Sequence, residues 1–313
     1  MEQITSTILM VRPASFRANE QTAVNNYFQK SFDDVDQDQL EADAQIEFDD
    51  FVDKLRANDI EVIVYDPSDG LDTPDAHFPN NWVSFHANGV VALYPMFAEN
   101  RRLERREDVI LELENQGYII EHIVDYTSAE EENLFLEGTG SLILDRTNRK
   151  AYCALSQRAD EELFIEFCED FDYFPVVFRA NQTVDGRREP IYHTNVMMCI
   201  GESFAVICLD CIDDKKERKN VKKHLLDDGK EIIAISEKQV AQFAGNMLQV
   251  KSKKGDRILV MSQSARDSLN DEQLAAIEKY SKILTSDLRV IEACGGGSAR
   301  CMMAEVFLPK KAE

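Results

Sequence analysis

The chain of 313 residues carries 35 lysines and arginines against 58 aspartates and glutamates, so its formal net charge is −23. This acidic balance repels phosphate backbones and anionic membranes, which argues against nucleic-acid or membrane partners. The N-terminus lacks a signal-peptide pattern, no apolar run is long enough to span a bilayer, and seven cysteines suggest no disulfide framework in a chain of this size. We therefore expect a protein of the reducing cytoplasm.

The first predicted elements are an isolated strand, a loop, a helix and a second strand. TILMVRP predicts the first strand, and the acidic stretch from Asp33 to Asp38 predicts a solvated loop. The helix follows because apolar residues then recur at spacings of three and four, at Phe48, Phe51, Val52 and Leu55. An apolar run from Ile60 predicts a buried strand, and WVSFH-ANG-VVALYP predicts a hairpin.

The order of helix, strand and hairpin returns along the rest of the chain. Further strands are predicted from apolar runs that begin at Tyr118, Phe174, Glu231 and Leu288. Helical spacing precedes these runs, most clearly at Leu163, Phe164, Phe167 and Cys168. The last helix has a start signal that resembles a capping box, formed by Asn270 and Gln273.

Each hairpin begins with a chemically distinctive residue. These five marker residues recur at intervals of 53 to 56 and are Asn81, Glu137, His193, Asn246 and Cys301. A period of this size indicates five supersecondary units. After Cys301 only one hairpin strand remains, so we expect TILMVRP to pair with it and to close a ring of five units. The sequence thus predicts one α/β domain over residues 1–313.

Three of the markers could support nucleophilic catalysis if the ring brings them together, namely Cys301, His193 and Glu137. Cys301 follows the small-residue stretch CGGGSAR, which leaves room for a ligand near the thiol. Glu137 lies in the apolar run LFLEGTG, where a carboxylate is costly to bury without a partner. Alone, a cysteine is more often an apolar core residue and a histidine more often structural, so the local residues leave both interpretations open.

Two further motifs carry weaker signals. The GGGS stretch lacks the Gly-Lys-Ser/Thr of a phosphate loop, which argues against a nucleotide site. Cys208 and Cys211 form a CxxC pair, but no second pair stands at zinc-ribbon spacing. This pattern favours core or turn cysteines over a metal or redox site, and no metal or organic cofactor is implied.

Three segments together, LEGTGSLILD around Glu137, YHTNVMM around His193 and the end of the chain around Cys301, resemble the pentein superfamily of amidinotransferases and guanidine-modifying enzymes. The segments MVRPASFRANEQTAVNN, FPNNWVSFH, NRRLERR and IYHTNVMMCIG are most similar to its citrulline-utilising hydrolases, the citrulline ureidases. The resemblance spans the whole chain. It implies a five-bladed α/β propeller with Cys301 as the nucleophile, His193 as general acid and base, and Glu137 orienting the substrate nitrogen and the imidazole.

The chain departs from the arginine deiminases at two positions. Deiminases have aspartates that grip a guanidinium there, whereas this sequence has Asn195 and Asn81. A guanidinium is a permanent cation with donors only, while a neutral ureido group also has a carbonyl acceptor, which an asparagine amide can satisfy. The alternative is that asparagine simply suits the turns. We favour the ureido interpretation because both positions change in the same sense.

The expected reaction is hydrolysis of citrulline to ornithine, carbon dioxide and ammonia through a thiocarbamate on Cys301. The resemblance places Arg101 and Arg102 in the segment that holds the substrate carboxylate, and Asp75 is a candidate partner for the α-ammonium group. A solvated loop carboxylate is the alternative for Asp75. The expected partner is a small amino acid, and the oligomeric state is left open, a homo-oligomer included.

Two rival functions remain. Another pentein, such as an arginine deiminase, a dimethylarginine hydrolase or an amidinotransferase, would share the three catalytic residues and act on a guanidino substrate. A non-enzymatic binding module, as in pentein translation factors, would not need a thiol, an imidazole and a carboxylate at equivalent positions. The acidic balance also argues against a ribosomal partner.

Overall fold

The computed structural model describes residues 1–30, 36–67 and 70–311 and contains both helices and strands. The strands of this described part are β1 Thr7–Val11, β2 Glu61–Tyr65, β3 Val83–Phe85, β4 Val90–Leu93, β5 His122–Asp125, β6 Leu142–Asp145, β7 Lys150–Ala154, β8 Phe174–Phe178, β9 Asn181–Val184, β10 Arg187–Pro190, β11 Met198–Ile200, β12 Phe204–Ile207, β13 Glu231–Ala234, β14 Leu248–Lys251, β15 Arg257–Ser262, β16 Lys282–Ser286 and β17 Ala304–Glu305.

The α-helices of the same residues are α1 Glu20–Ala23, α2 Gln37–Ala57, α3 Glu107–Asn115, α4 Gly138–Ser141, α5 Glu161–Asp170, α6 Lys215–Asp227, α7 Glu237–Val240, α8 Gln263–Ser268, α9 Asp271–Glu278 and α10 Arg289–Gly295. Short 3-10 turns precede two of the strands, at Pro79–Asn81 before β3 and at Thr194–Val196 before β11. None of the helices described is long and apolar enough to cross a membrane.

Five three-stranded sheets repeat one topology. In each, an antiparallel pair is extended by a third strand that runs parallel to the middle strand. The strand orders are β3-β4-β5, β6-β7-β8, β11-β12-β13, β14-β15-β16 and β17-β1-β2. A separate two-stranded hairpin, β9-β10, precedes the third marker. The repeated order agrees with the five units predicted from the sequence period.

The fifth sheet joins the two ends of the described chain. β1 pairs antiparallel with β17 through Ile8 opposite Glu305 and Leu9 opposite Ala304, and it pairs parallel with β2 on its other side. The predicted pairing of the N-terminal strand with the strand after Cys301 is therefore confirmed. This pairing covers what would otherwise be an exposed edge of β17.

Three predicted elements need correction. The run from Leu288 is not a strand but leads into helix α10. The third strand of the sheet that contains β14 and β15 is β16, which precedes this run. Leu288, Ile291 and Cys294 are buried at a spacing of three, which places them on one face of a helix rather than on alternate faces of a strand. In the run from Tyr118, only the second half forms a strand, β5.

The predicted acidic loop is also shorter than expected at its C-terminal end. Residues 33–35 lie outside the described part of the chain. Asp36 caps α2 by accepting the backbone N–H of Asp38, which already belongs to the first helical turn. A carboxylate at this position satisfies a free backbone donor and complements the positive end of the helix, so these acidic residues begin the helix instead of extending the loop.

The helices cover the sheets with the apolar faces that the sequence predicts. The four predicted apolar residues of α2 and the four of α5 are all buried. Each such side chain contributes about 1.5–3 kcal/mol through removal from water. The capping box of α9 is confirmed: Gln273 donates its backbone N–H to Asn270 Oδ1 at 2.8 Å, and the Asn270 backbone N–H donates to Gln273 Oε1 at 3.0 Å.

Candidate active site

The five markers stand just before or at the first strand of the five sheets, and the structure brings them together. Asn81 ends the turn before β3, and Glu137 caps α4, which leads into β6. His193, Asn246 and Cys301 precede β11, β14 and β17. Glu137 Oε2 lies 2.6 Å from His193 Nε2, and Asn246 Nδ2 lies 3.2 Å from Cys301 Sγ. All five residues are buried.

Glycines in the segment after Glu137 make this close approach possible. Gly138 has a φ of +43°, and a Cβ there would lie 2.4 Å from the backbone oxygen of Asn80. A Cβ on Gly140 would lie 2.4 Å from Asn81 Nδ2 and 2.8 Å from His193 Nδ1. Any side chain at these positions would push the markers apart, so the GTG sequence is required by the packing of the site.

Glu137 and His193 form a buried pair whose charges are set by their surroundings. Burial alone would raise the pKa of Glu137, but Arg158, the hydrogen bond to His193 and Arg101 outweigh it and lower that pKa. The backbone N–H of Phe97 donates to the other carboxylate oxygen of Glu137, Oε1, at 3.0 Å. Burial lowers the pKa of His193 to about 4, although Glu137 opposes the shift. At neutral pH the imidazole is therefore neutral and donates its Nε2 proton to an ionised carboxylate.

Cys301 is 2% exposed, and its sulfur faces two side-chain amides. Asn195 Nδ2 donates to Sγ at 3.3 Å and Asn246 Nδ2 donates at 3.2 Å. The backbone N–H of Cys301 donates to the carbonyl oxygen of Ser298, which fixes the turn that carries the thiol. The nucleophile predicted from the sequence thus lies among N–H donors and not against apolar side chains alone.

A small cavity opens beside these residues. Besides glycines 295–297 and Phe78 it is lined by Thr22, Asn26, Asp75, Asn81, Arg101, Arg158, Tyr192, His193 and Cys301. The glycine stretch has little room for side chains, because a Cβ on Gly297 would lie 2.7 Å from the Phe78 ring. The stretch that the sequence analysis linked to an accessible thiol forms one wall of the cavity.

Arg101 holds Asn81 in one orientation. Its Nε and Nη2 donate to Glu104 at 2.9 Å each, and its Nη1 donates to Asn81 Oδ1 at 2.9 Å. Burial would lower the pKa of Arg101, but Glu104, Asp75 and Glu137 together raise it. Because a guanidinium can only donate, the Asn81 atom that it contacts must be the amide oxygen, and the NH₂ group of Asn81 points elsewhere.

Arg102, the other arginine of the predicted carboxylate clamp, does not line this cavity. Its Nε donates to the carbonyl oxygen of Met96 at 3.2 Å and lies 3.4 Å from Glu130 Oε2. Arg158 lies in the cavity wall instead, with Nη1 3.5 Å from Glu137 Oε2. Sequence reasoning missed Arg158, because nothing in the segment ALSQRAD distinguishes it from a surface arginine.

Asp75 lies inside the cavity wall and is not a solvated loop residue. One of its oxygens, Oδ2, accepts from Asn19 Nδ2 at 2.8 Å and from Thr22 Oγ1 at 3.3 Å, while Oδ1 has no hydrogen-bond partner among the described residues. Burial raises the pKa of Asp75 although Arg101 opposes the shift. Thr22 and Asn26 also line the cavity and were missed as site residues, although their polar segment belongs to the motif that carried the resemblance.

The other predicted motif, Cys208 and Cys211, lies elsewhere. Both thiols are fully buried in an apolar cluster around a 3-10 turn, as the sequence favoured. Among the residues described, histidine, cysteine, aspartate and glutamate side chains form no group of three that could hold a metal ion.

Comparison with known proteins identifies the family. The sequence model described as N,N dimethylarginine dimethylhydrolase, eukaryotic, matches residues 12–308, and no curated protein sequence matches the chain. Among solved structures, the apo form of ArgZ, an arginine dihydrolase from the ornithine-ammonia cycle in cyanobacteria, is similar with a TM-score of 0.73 and 19% identity. That match covers 97% of this chain and 41% of ArgZ, so this chain spans about two fifths of that protein.

Two further structures have the same fold. Unliganded AgrE has a TM-score of 0.72 and 20% identity over 98% of this chain and 40% of its own. A variant of dimethylarginine dimethylaminohydrolase, solved as an adduct with S-methyl-L-thiocitrulline, has a TM-score of 0.63 and 14% identity, covering 96% of this chain and 99% of its own. At these identities the likeness establishes the fold, which is that of the pentein superfamily.

Proposed function

Because this chain belongs to the N,N dimethylarginine dimethylhydrolase family of the pentein superfamily, we propose that it is a cysteine-dependent hydrolase of an arginine-type amino acid. It cleaves a C–N bond at the guanidino or ureido carbon of the side chain. The observation that carries the proposal is that Cys301 and His193 line one buried cavity, while Glu137 is hydrogen-bonded to the imidazole of His193. Such a combination of thiol, imidazole and carboxylate supports covalent catalysis.

In the proposed reaction the Cys301 thiolate attacks the side-chain carbon of the substrate. His193 holds its proton on Nε2 toward Glu137, which leaves Nδ1 as the basic nitrogen. The imidazole takes up a proton when the thiolate forms and returns it to the departing nitrogen. A water molecule, deprotonated by the neutral imidazole, then attacks the thioester-like carbon and releases the thiolate.

A guanidino substrate is the first candidate. The family name refers to dimethylarginine, and ArgZ, which shares the fold, is described as an arginine dihydrolase. One carboxylate, Asp75, lines the cavity and could receive a cationic group of such a substrate. Arginine and water would give citrulline and ammonia, with the amidino carbon carried on Cys301 between the two steps.

Citrulline is the second candidate, and the orientation of Asn81 favours it. Because Arg101 fixes the amide oxygen, Asn81 presents N–H groups, one of which donates to Asn80 Oδ1 at 3.1 Å. The remaining N–H suits a ureido carbonyl oxygen and cannot serve a guanidinium, which has no acceptor. Asn195 Oδ1 is buried without a hydrogen-bond partner in the described part of the chain, so it is free to accept an N–H that both substrates carry.

The test is a product assay with purified protein and three substrates: arginine, asymmetric dimethylarginine and citrulline. Ammonia, dimethylamine, citrulline and ornithine are each quantified, with Cys301→Ser as the control. Citrulline formed from either arginine supports the first candidate, and ornithine formed from citrulline with ammonia and carbon dioxide supports the second. If folded protein forms none of these products, the proposed function is wrong.

The proposal includes the larger architecture. The five sheets are proposed to form one closed five-bladed propeller, a single catalytic domain over residues 1–313, because they repeat one strand order and β1, near the start of the chain, pairs with β17, near its end. A cytoplasmic location fits seven free cysteines. Deleting residues 1–11 tests closure: unfolding or a loss of several kcal/mol is expected, since β17 and β2 would lose the strand between them and the buried side chains of β1 would leave the core.

A further inference from the structure

Asn246 is the one marker that the proposed chemistry leaves without a role. It is fully buried, and its Nδ2 donates both to Cys301 Sγ at 3.2 Å and to the carbonyl oxygen of Asn195 at 3.1 Å. Asn195 Nδ2 contacts the same sulfur at 3.3 Å. Both hydrogen bonds that the described residues make to this sulfur therefore come from side-chain amides.

The orientation of the Asn246 amide is fixed by the backbone. The backbone N–H of Arg300 donates to Asn246 Oδ1 at 3.0 Å. A backbone N–H can only donate, so the contacted atom must be the oxygen, and the NH₂ group must face Cys301. Arg300, the residue before Cys301, thus positions the Asn246 amide that contacts the thiol.

The charge state of His193 makes this contact important. Its imidazole is neutral in the resting site, with one proton directed at Glu137, so it becomes a cation only when it takes up the proton of the thiol. A thiol is a poor hydrogen-bond acceptor, whereas a thiolate gains from each N–H donor that faces it. Two preorganised amides in a buried site would therefore favour the thiolate over the thiol.

We infer that Asn246 is a catalytic residue that stabilises the Cys301 thiolate by hydrogen bonding, with Asn195 as the second donor. The Arg300 N–H acts as a positioning group. This inference rests on the proposed function for the role of Cys301 as nucleophile. It concerns the ionisation of the thiol, which can be measured without any substrate.

The test compares two variants that separate donation from positioning. Asn246→Asp keeps the oxygen that accepts the Arg300 N–H but replaces the donor with a second oxygen. Asn246→Ala removes both. The rate of alkylation of Cys301 by iodoacetamide is measured against pH, with mass spectrometry to assign the modified cysteine among seven. Asn148→Ala, which removes a turn amide bonded to Asp145, is the matched control.

We expect the midpoint of the alkylation profile to rise by about one pH unit in Asn246→Ala and by more in Asn246→Asp, since a charge-assisted hydrogen bond is lost and a negative charge is added. At pH 7, kcat falls by about tenfold or more while KM changes less. The other charged groups of the cavity, Asp75, Arg101, Arg158 and His193, and the adjacent Arg300, are the same in all proteins. Asn148→Ala keeps the wild-type midpoint and turnover.

Three outcomes overturn the inference. One is an unchanged midpoint in both Asn246 variants, and another is a wild-type profile in Asn246→Asp alone, which would mean that the residue only positions the backbone. If the Asn246 variants do not fold, Asn195→Ala must raise the midpoint, and its failure to do so is the third. Shifted midpoints in a protein that turns over no substrate would keep this inference and refute the proposed function.

Discussion

Cysteines lie in several buried regions of this protein, and two of these regions place the thiol in opposite environments. Cys199 lies in the apolar cluster that also holds Cys208 and Cys211, where burial raises its pKa to about 12. Cys301 is equally buried, but two amide groups donate to its sulfur. At Cys199 burial outweighs the backbone hydrogen bond of Val206 and keeps the thiol protonated and inert, whereas two fixed side-chain amides at Cys301 would support a thiolate. The neighbours of Cys301, and not its exposure, distinguish it as the proposed nucleophile.

The largest effect on turnover is expected when one cysteine from each region is replaced in a separate variant. Cys301→Ser should lower turnover by roughly a thousandfold or more, because a serine hydroxyl stays protonated at neutral pH. Cys208→Ala should keep turnover and lose about 1–2 kcal/mol of unfolding free energy through the cavity it leaves. Steady-state kinetics and urea unfolding measure both. The comparison fails if folded Cys208→Ala is inactive while Cys301→Ser retains activity.

The next effect concerns the pair of Glu137 and His193, whose imidazole lines the same cavity as Cys301. Glu137→Gln removes the anion that accepts the His193 proton and that faces Arg158, so we expect turnover to fall at least a hundredfold. The matched control is Glu132→Gln, which removes a charge from an exposed position and should change nothing. Equal turnover in both variants would show that the imidazole needs no anionic partner.

Much of this arrangement could be predicted from the sequence, because it follows from the repeat. The period identifies five markers, and the pairing of β1 with β17 follows from the missing hairpin strand. Cys301, His193 and Glu137 occupy equivalent positions, so one rule brings all three together. A periodic signal can predict such positions because symmetry converts sequence spacing into proximity.

Other parts of the site could not be predicted, because they depend on contacts between units. Arg158 and Thr22 enter the cavity from segments with no periodic signal, while Arg102 resembles Arg101 in sequence but turns toward Glu130. The apolar run at Leu288 predicts a strand but leads into helix α10, because a short apolar run fits both structures until its burial is known. Side-chain direction within one turn is decided by packing, which spacing alone does not encode.

A smaller effect should separate the two candidate substrates. In the double variant Asn81→Asp and Asn195→Asp, the new carboxylate at position 81 still accepts the hydrogen bond from Arg101. The two new carboxylates together supply anions that can bind a guanidinium. We expect the ratio of specificity constants for citrulline over arginine to fall by about tenfold or more, with tighter arginine binding. Competition assays with both substrates measure the ratio. An unchanged ratio would remove the argument that these amides select a neutral group.

The smallest expected effect is on the free energy of unfolding, and it again compares a residue of the site with a residue of the core. His193 in the site and His86 in the core are both buried, and burial lowers the pKa of His193 to about 4 and that of His86 well below its ordinary value. Below pH 6.5 the two imidazoles bind protons in the unfolded chain but stay neutral in the folded chain. The free energy of unfolding therefore falls as the pH drops from 6.5 toward 4. At pH 5 this costs roughly 2 kcal/mol for His193, and the loss at His86 has the same sign.

His193→Gln and His86→Gln should each remove their own share of this acid loss, as measured by urea unfolding at pH 7 and pH 5. Groups that titrate in the opposite sense, such as Glu47 with its pKa raised by burial to about 7, are the same in every protein and cancel in the comparison. His122→Gln, at an exposed position that water reaches in both states, should keep the full wild-type loss. If all three variants lose as much stability as the wild type, the buried imidazoles are already charged in the folded protein, and His193 cannot be the neutral partner of Glu137 on which the proposed chemistry depends.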